Sequence, residues 1–227
     1  MNRRKPKETA DQALIIVDMQ NYYLQSDAPF ARFHALRAGD DALDYIQQRV
    51  NRIVLPNIGR LLFFFRERGR PVVFLRLCAQ KADRSDLHPA FRAVWRDGAN
   101  IDIPDVYPLA SDPLAEVHPA IAPRPSEIVI NKTTFSAFTS TRLDEILREL
   151  CVHTLVFAGL ATSQCVDTTA RDAADRGYTV IHIEDGQADY NEMFHNASLF
   201  ASRGVCGGLL YETDEYLERQ TILFPVD

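Results

Sequence analysis

The chain has 227 residues, of which 46% are hydrophobic and 25% are charged, proportions typical of a soluble globular protein with a substantial core. The formal net charge of −6 argues against a nucleic-acid-binding protein, which would normally present a basic surface. No apolar run is long enough to span a bilayer. We therefore expect a single domain over residues 1–227 that has neither nucleic acid nor a membrane as a partner.

The N-terminal residues and the cysteines favour a reducing compartment. Residues 1–10 are basic, but no long apolar segment with a cleavage site follows them, so we expect a flexible tail and not a secretory signal. The cysteines lie far apart and lack the spacing of metal ligands. They are Cys78, Cys151, Cys165 and Cys206. A cytoplasmic protein is the simplest interpretation.

Short apolar runs alternate with segments of helical periodicity along the chain. The runs that are typical of buried strands cover residues 13–17, 72–77, 127–130, 154–158 and 178–183. This alternation predicts a three-layer α/β fold, in which a doubly wound, mainly parallel sheet carries helices on both faces. Residues 78–126 are punctuated by prolines, so we expect a long excursion with at most short helices, serving as a lid or an interface.

Two of the predicted strands end in or near charged residues. Asp18 follows the first strand, at the edge where open α/β sheets bind their ligands, although it could also serve only the turn. Arg76 lies near the end of the second strand and is a candidate to hold an anionic substrate group, with an ordinary ion pair as the alternative. Tyr22 and Phe30 follow Asp18 in an aromatic-rich stretch that either walls a pocket or belongs to the core.

The third and fourth predicted strands lead to a lysine and a cysteine. Lys132 follows a buried strand and precedes an aromatic turn, although most lysines are solvated surface residues. Cys165 lies between a strand and a helix, with Thr162 and Ser163 as candidate helix caps. The free amides and the dipole of a helix N-terminus favour a thiolate there, whereas the alternative is a buried cysteine that only fills space.

In this architecture strand ends converge on one crevice, so Asp18, Lys132 and Cys165 are predicted to meet. The stretches that carry them resemble the isochorismatase-like cysteine hydrolases, from about Asp11 to Asp214. The stretches are Val17–Asn21, Asn131–Lys132 with Phe135–Phe138, and Gly159–Val166. That superfamily includes N-carbamoylsarcosine amidase, nicotinamidases, ureidoacrylate and maleamate amidohydrolases, and biuret hydrolase.

The resemblance implies a cofactor-free hydrolase that cleaves a C–N bond of a small amide, ureido or carbamoyl substrate through a thioester acyl-enzyme. It implies Asp18, Lys132 and Cys165 as the catalytic triad. It also implies a cis peptide before Ala161, which would turn the amides of Ala161 and Cys165 towards one point as an oxyanion hole. A homo-oligomer, dimer or tetramer, is expected by the same analogy.

Departures from the relatives narrow these expectations. Residues 76–83 lack the Asp-x-His pair with which nicotinamidases hold a metal, so we expect no catalytic metal and disfavour nicotinamide. Isochorismatases that cleave a vinyl ether lack the cysteine, so Cys165 favours C–N hydrolysis over vinyl-ether cleavage. Vinyl-ether cleavage is kept as an alternative, and so is a catalytically silent binding protein of the same fold. A Cys-His-Asp arrangement through His153 or His182 is disfavoured because neither histidine follows a strand end. The candidate substrate-binding residues are Tyr22, Phe30, Arg76, Phe135, Gln187 and Tyr190.

Overall fold

The computed structural model describes residues 11–203 and 208–223, and its core is a six-stranded sheet whose strands all run parallel. The spatial order is β3-β2-β1-β4-β5-β6. The strands are β1 (Gln12–Val17), β2 (Val72–Leu77), β3 (Ile128–Lys132), β4 (Thr154–Leu160), β5 (Thr179–Ala188) and β6 (Leu209–Tyr211). The predicted parallel sheet is confirmed. The predicted tail over residues 1–10, and Cys206, lie outside the described residues.

Helices cover both faces of this sheet. The helices are α1 (Asn21–Leu24), α2 (Pro29–Ala38), α3 (Asp44–Arg49), α4 (Leu55–Glu67), α5 (Pro89–Ala99), α6 (Ala137–Ser140), α7 (Leu143–Glu149), α8 (Asp167–Asp175), α9 (Glu192–Ser202) and α10 (Thr213–Leu223). Helix α4 packs against β1, β2, β5 and α10, whereas α8 packs against β5, α6 and α9. Strands β1, β2 and β4 are buried almost throughout. Because helices cover both faces of the sheet, side chains on both sides of these strands are mostly apolar, which explains their continuous apolar runs. The three-layer fold follows.

The strand order reverses between β1 and β4, which makes this pair the switch point of the sheet, where α/β proteins bind ligands. Val17 at the end of β1 pairs with Gly159 on β4. Gly159 has a φ of +116°, and a Cβ there would lie 2.1 Å from the carbonyl oxygen of Val17. Only glycine therefore lets the two strands approach at this point. Asp18 also has left-handed backbone, with a φ of +50°.

Prolines lie at the start of two of the longer helices. A π-helical turn, Val50–Val54, joins α3 to α4, and Pro56 occupies the first turn of α4, where proline is tolerated. The expectation of at most short helices over residues 78–126 is wrong, because α5 is 11 residues long. Its start combines a proline with a cap: Nδ1 of His88 accepts a hydrogen bond from the amide of Ala90 at 3.2 Å. Here proline begins a helix.

Replacing Gly159 with alanine tests the close approach of β1 and β4. We expect Gly159→Ala to lower the free energy of unfolding by several kcal/mol, since both the positive φ and the clash with Val17 oppose a side chain. Gly59→Ala is the matched control: it lies in α4 with no atom within 4 Å of the added Cβ, and should stabilise by roughly 0.5–1 kcal/mol. Urea unfolding of both variants provides the measurement, and equal stability in the two would contradict the packing described.

Candidate active site

Asp18 and Lys132 form an ion pair in the interior, with Oδ2 of Asp18 2.8 Å from Nζ of Lys132 and neither side chain exposed. Lys132 ends β3, which is separated from β1 by β2, and its register partner on β2 is Leu77. Since neighbouring strands lie about 4.8 Å apart, the long lysine side chain has to cross the end of β2 to reach the carboxylate. Nζ also donates to the carbonyl of Thr134 at 3.2 Å.

Gln20 fixes the backbone that carries Asp18. Its Oε1 accepts a hydrogen bond from the amide of Leu77 at 2.7 Å, and its Nε2 donates to the carbonyl of Ala115 at 2.8 Å. The Asp18 oxygens, by contrast, take no hydrogen bond of regular geometry from a described residue. The 2.8 Å ion pair therefore holds Asp18, and its carboxylate keeps lone pairs with which to accept a proton.

Cys165 lies in a π-helical turn, Thr162–Val166, which joins β4 to α8. It is only 3% exposed, and its thiol lies within hydrogen-bonding reach of both Asp18 and Lys132. The predicted convergence of the three side chains is thus present in the structure. The turn carries Cys165 over the end of β4, next to the end of β1, because these two strands are neighbours at the switch point.

Burial decides the protonation of this cluster. It raises the pKa of the Cys165 thiol well above its usual value; Lys132 lowers that pKa and Asp18 raises it. Burial also raises the pKa of Asp18, against the opposing effect of Lys132. For Lys132, burial disfavours the charge, but Asp18 and Cys165 hold the pKa above its usual value. Burial therefore opposes the thiolate that the helix N-terminus was expected to favour, because it raises the pKa of the Cys165 thiol.

The turn before Cys165 differs from expectation in its peptide geometry. No peptide bond within residues 11–203 and 208–223 is cis, so the cis peptide expected before Ala161 is wrong. Ala161 has extended backbone, with φ −86° and ψ 145°, and continues from β4 directly into the π-helical turn. The unusual backbone geometry near this turn is instead at Gly159, which has a positive φ.

The buried carboxylate of Asp189 caps this turn, whereas the predicted caps were Thr162 and Ser163. Oδ2 of Asp189 accepts a hydrogen bond from the amide of Ser163 at 2.5 Å, and Oδ1 accepts one from the amide of Tyr190 at 2.8 Å. Asp189 is fully buried. The sequence analysis missed this role, because Asp189 is 26 residues from Ser163 and follows a different strand.

Thr162 is held from another side by a histidine. Its hydroxyl lies 2.8 Å from Nδ1 of His195, and Nε2 of the same ring lies 3.0 Å from a guanidinium nitrogen of Arg49. Because arginine can only donate, Nε2 accepts and Nδ1 carries the proton of a neutral imidazole. Burial, and secondarily Arg49, lower the pKa of His195 to about 4, in agreement with that assignment.

Two adjoining cavities lead to Cys165. The inner chamber, of about 10 Å³, is lined by Tyr23, Phe30, Leu43, Ile46, Leu160, Ala161, Gln164, Cys165 and Tyr190. The outer chamber, of about 320 Å³, is lined by His34, Ala90, Phe91, Val94, Tyr107, Phe135, Gln164 and Tyr190. Gln164 and Tyr190 belong to both chambers and form the neck between them. A larger cavity lies at the opposite edge of the sheet, where Gln12 and Thr154 begin β1 and β4, and it has no nucleophile.

The predicted substrate-binding residues divide into two groups. Phe30, Tyr190 and Phe135 line the chambers as predicted. Tyr22 does not: it is buried one layer behind, where its hydroxyl donates to the carbonyl of Leu77 at 3.2 Å. The neighbouring Tyr23 lines the inner chamber, since side chains in a helix point in successive directions.

Arg76 and Gln187 lie outside both chambers. Arg76 lies 2.7 Å from the carboxylate of Glu116 and donates to Asn131, so the ordinary ion pair prevailed over an anion site. Gln187 is buried within β5, because that strand continues to Ala188. Its Nε2 donates to the carbonyl of Phe157 at 3.1 Å.

The chain is thus an α/β protein in which a parallel, doubly wound sheet carries a buried thiol, carboxylate and amine at its switch point. Residues 12–211 match the isochorismatase domain, so the chain belongs to the isochorismatase family of hydrolases. No three His, Cys, Asp or Glu side chains of the described residues cluster as metal ligands, and no helix among them is long and apolar enough to cross a membrane.

Similar proteins agree with the family assignment. The chain is 32% identical over 183 residues to ureidoacrylate amidohydrolase RutB of Variovorax paradoxus, covering 78% of this chain and 68% of that protein. It is 26% identical over 221 residues to nicotinamidase 3 of Arabidopsis thaliana, covering 97% and 93%. An isochorismatase family protein from Desulfovibrio vulgaris superposes with a TM-score of 0.75 at 25% identity, covering 93% and 99%. The first two of these proteins are named as an amidohydrolase and a nicotinamidase.

Alkylation of Cys165 tests the charges around the thiol. Asp18→Asn should make Cys165 react faster with iodoacetamide near neutral pH, by about 10-fold for each unit by which its pKa falls, because Asp18 raises that pKa. Lys132→Met should make it slower. Peptide mass spectrometry measures the rates, with the exposed Cys151 as the internal control. Slower alkylation in Asp18→Asn than in the unsubstituted protein would contradict this electrostatic account.

The neutral His195 should make stability depend on pH. Its pKa is about 4 in the fold, below the ordinary 6.5, so the unfolded chain binds its proton first as the pH falls. The stabilisation is complete above about pH 6.5 and is lost between there and about pH 4, with a slope of at most about 1.4 kcal/mol per pH unit. His195→Gln should make the slope shallower in urea unfolding at pH 7, 6 and 5. An unchanged slope would show that His195 does not titrate this way.

Proposed function

We propose that this chain is a cysteine-dependent amidohydrolase, which cleaves a C–N bond of a small amide, ureido or carbamoyl substrate through a thioester. The observation that carries the proposal is the cluster of Asp18, Lys132 and Cys165, buried together beside a narrow chamber. A buried ion pair alone has structural roles, but one in contact with a thiol that lines a cavity provides a nucleophile and a base. The amidohydrolase names of the relatives support the same reaction class.

The first half of the reaction begins from the neutral thiol. As Cys165 attacks the substrate carbonyl, its proton moves to Asp18, whose raised pKa suits it to accept and later release a proton. Lys132 stays cationic and offsets the negative charge of the cluster. The sulfur–carbon bond forms as the carbonyl oxygen becomes an oxyanion; that the amides of Ala161 and Cys165 hold this oxygen stays a prediction, because the peptide before Ala161 is trans. Protonated Asp18 then gives its proton to the nitrogen, the C–N bond breaks, and ammonia or an amine leaves.

The second half restores the thiol with water. Asp18, again a carboxylate, takes a proton from the attacking water, the thioester C–S bond breaks, and the carboxylic acid leaves while the sulfur regains its proton from Asp18. The sum is the amide plus water giving the acid plus the amine. Each step uses the carboxylate as the only proton carrier, which agrees with a resting thiol that is not ionised.

Vinyl-ether hydrolysis and a catalytically silent role are the competing proposals. A thiol in contact with a base favours acyl transfer over vinyl-ether cleavage, which requires no thioester. If the protein had no catalytic activity, substitution of Cys165 or Asp18 would not change ammonia release. The homo-oligomer and the cytoplasmic location stay predictions of the sequence.

Substitutions of the cluster test the proposed reaction by ammonia release from a panel of small amides and ureido acids. Cys165→Ala should abolish turnover, since no thioester forms. Asp18→Asn should lower kcat by about 10²–10⁴-fold, the usual contribution of a general acid–base group. Cys151→Ser, at an exposed thiol, is the control and should keep full activity. Mass spectrometry of a quenched reaction should find the acyl group on Cys165. Undiminished turnover by Cys165→Ala would refute the proposal.

A further inference from the structure

The two chambers divide the substrate into two parts. The inner chamber, of about 10 Å³, has room for about one water molecule, whereas the outer chamber measures about 320 Å³. Cys165 lines the inner chamber, so the scissile amide has to reach the sulfur there, next to Gln164 and Tyr190, which line both chambers. The rest of the substrate then lies in the outer chamber, so the side chains of that chamber select the acyl group.

The outer chamber is lined by rings and aliphatic groups. Phe91 lies between Tyr107 and Phe135, with ring centroids 5.1 and 4.3 Å away, and Val94 adds an aliphatic patch. Among the described residues, neither chamber is lined by a lysine, arginine, aspartate or glutamate. His34, on the rim, has its pKa lowered by burial and is uncharged at neutral pH. Such a surface favours an apolar, planar group.

The charges just behind this lining disfavour an anion. Asp18 and Lys132 cancel each other, being 2.8 Å apart and fully buried. Asp189, also fully buried, adds a negative charge directly behind Tyr190, to whose amide it is hydrogen bonded. The side chains that line the outer chamber therefore offer a substrate carboxylate no cation with which to pair.

Two nearby arginines point to the same conclusion, because each has other partners. Arg76 pairs with Glu116. Arg49 donates to the carbonyls of Gln187 and Glu184 and contacts His195. Resting on the proposed function, we propose that the substrate of this site is an uncharged amide with a planar, apolar acyl group, and that amides carrying a free carboxylate are excluded.

Matched pairs of amides test this substrate class. The pairs are benzamide with 4-carbamoylbenzoate, and butyramide with succinamate, in which the second member adds only a carboxylate. We expect kcat/KM for the uncharged member to exceed that of the carboxylate by about 100-fold, the effect of an unpaired buried charge. A higher kcat/KM for the carboxylate members would overturn the substrate class and leave amide hydrolysis standing.

A charge introduced into the outer chamber provides the second arm. Val94→Arg should reduce the preference for uncharged amides by at least about 10-fold, because it supplies the missing cation. Val94→Met, of similar bulk but uncharged, is the matched control at the same position, and Phe63→Arg, 68% exposed on α4, controls for added charge elsewhere. A preference that changes equally in Val94→Met and Val94→Arg would contradict the charge argument.

Binding to Cys165→Ala separates this inference from the proposed function. Calorimetry with this variant should detect benzamide and not 4-carbamoylbenzoate, and that result supports the substrate class even if no amide releases ammonia. Release of ammonia from neither class would refute the proposed function alone. Tighter binding of 4-carbamoylbenzoate than of benzamide would refute the substrate class alone.

Discussion

The ion pair between Asp18 and Lys132 is the interaction on which the rest of the site depends. Two charges without solvent contact are tolerated only because each offsets the other at 2.8 Å. Removing one would leave the second unpaired in the core, so the loss of either should lower the stability of the fold as well as affect the chemistry. The pair also acts on Cys165: burial raises the pKa of the thiol most, Lys132 lowers it and Asp18 raises it.

The backbone around this pair is fixed by contacts that lie far apart in the chain. Gly159 admits β4 to within contact of Val17, Gln20 ties the end of β1 to β2, and Asp189 holds the turn that bears the cysteine. Each contact fixes the position of the backbone at the end of a different strand. The left-handed backbone of Asp18 is sustained by these constraints, in keeping with strain at functional sites.

The chambers show how one family scaffold accommodates different acyl groups. The catalytic cluster comes from strand ends, which the fold fixes, whereas the outer chamber comes from α2, α5 and the turn after β3. Helix α5 belongs to the proline-rich middle segment, whose fold was not predicted. Helices α2 and α5 thus contribute four of the side chains that line the outer chamber from outside the sheet, namely His34, Ala90, Phe91 and Val94.

The sequence by itself determined the parallel sheet and the meeting of Asp18, Lys132 and Cys165, because buried strands have an apolar signature and their ends converge. Only the tertiary structure decided the rest. It replaced the expected cis peptide with a trans peptide at Ala161, and it moved Arg76 from a substrate role to an ion pair with Glu116. It also buried the Cys165 thiol, which raises the pKa of that group. Charge partners, burial and cavity walls depend on residues brought together from distant segments, and periodicity along one segment carries no information about them.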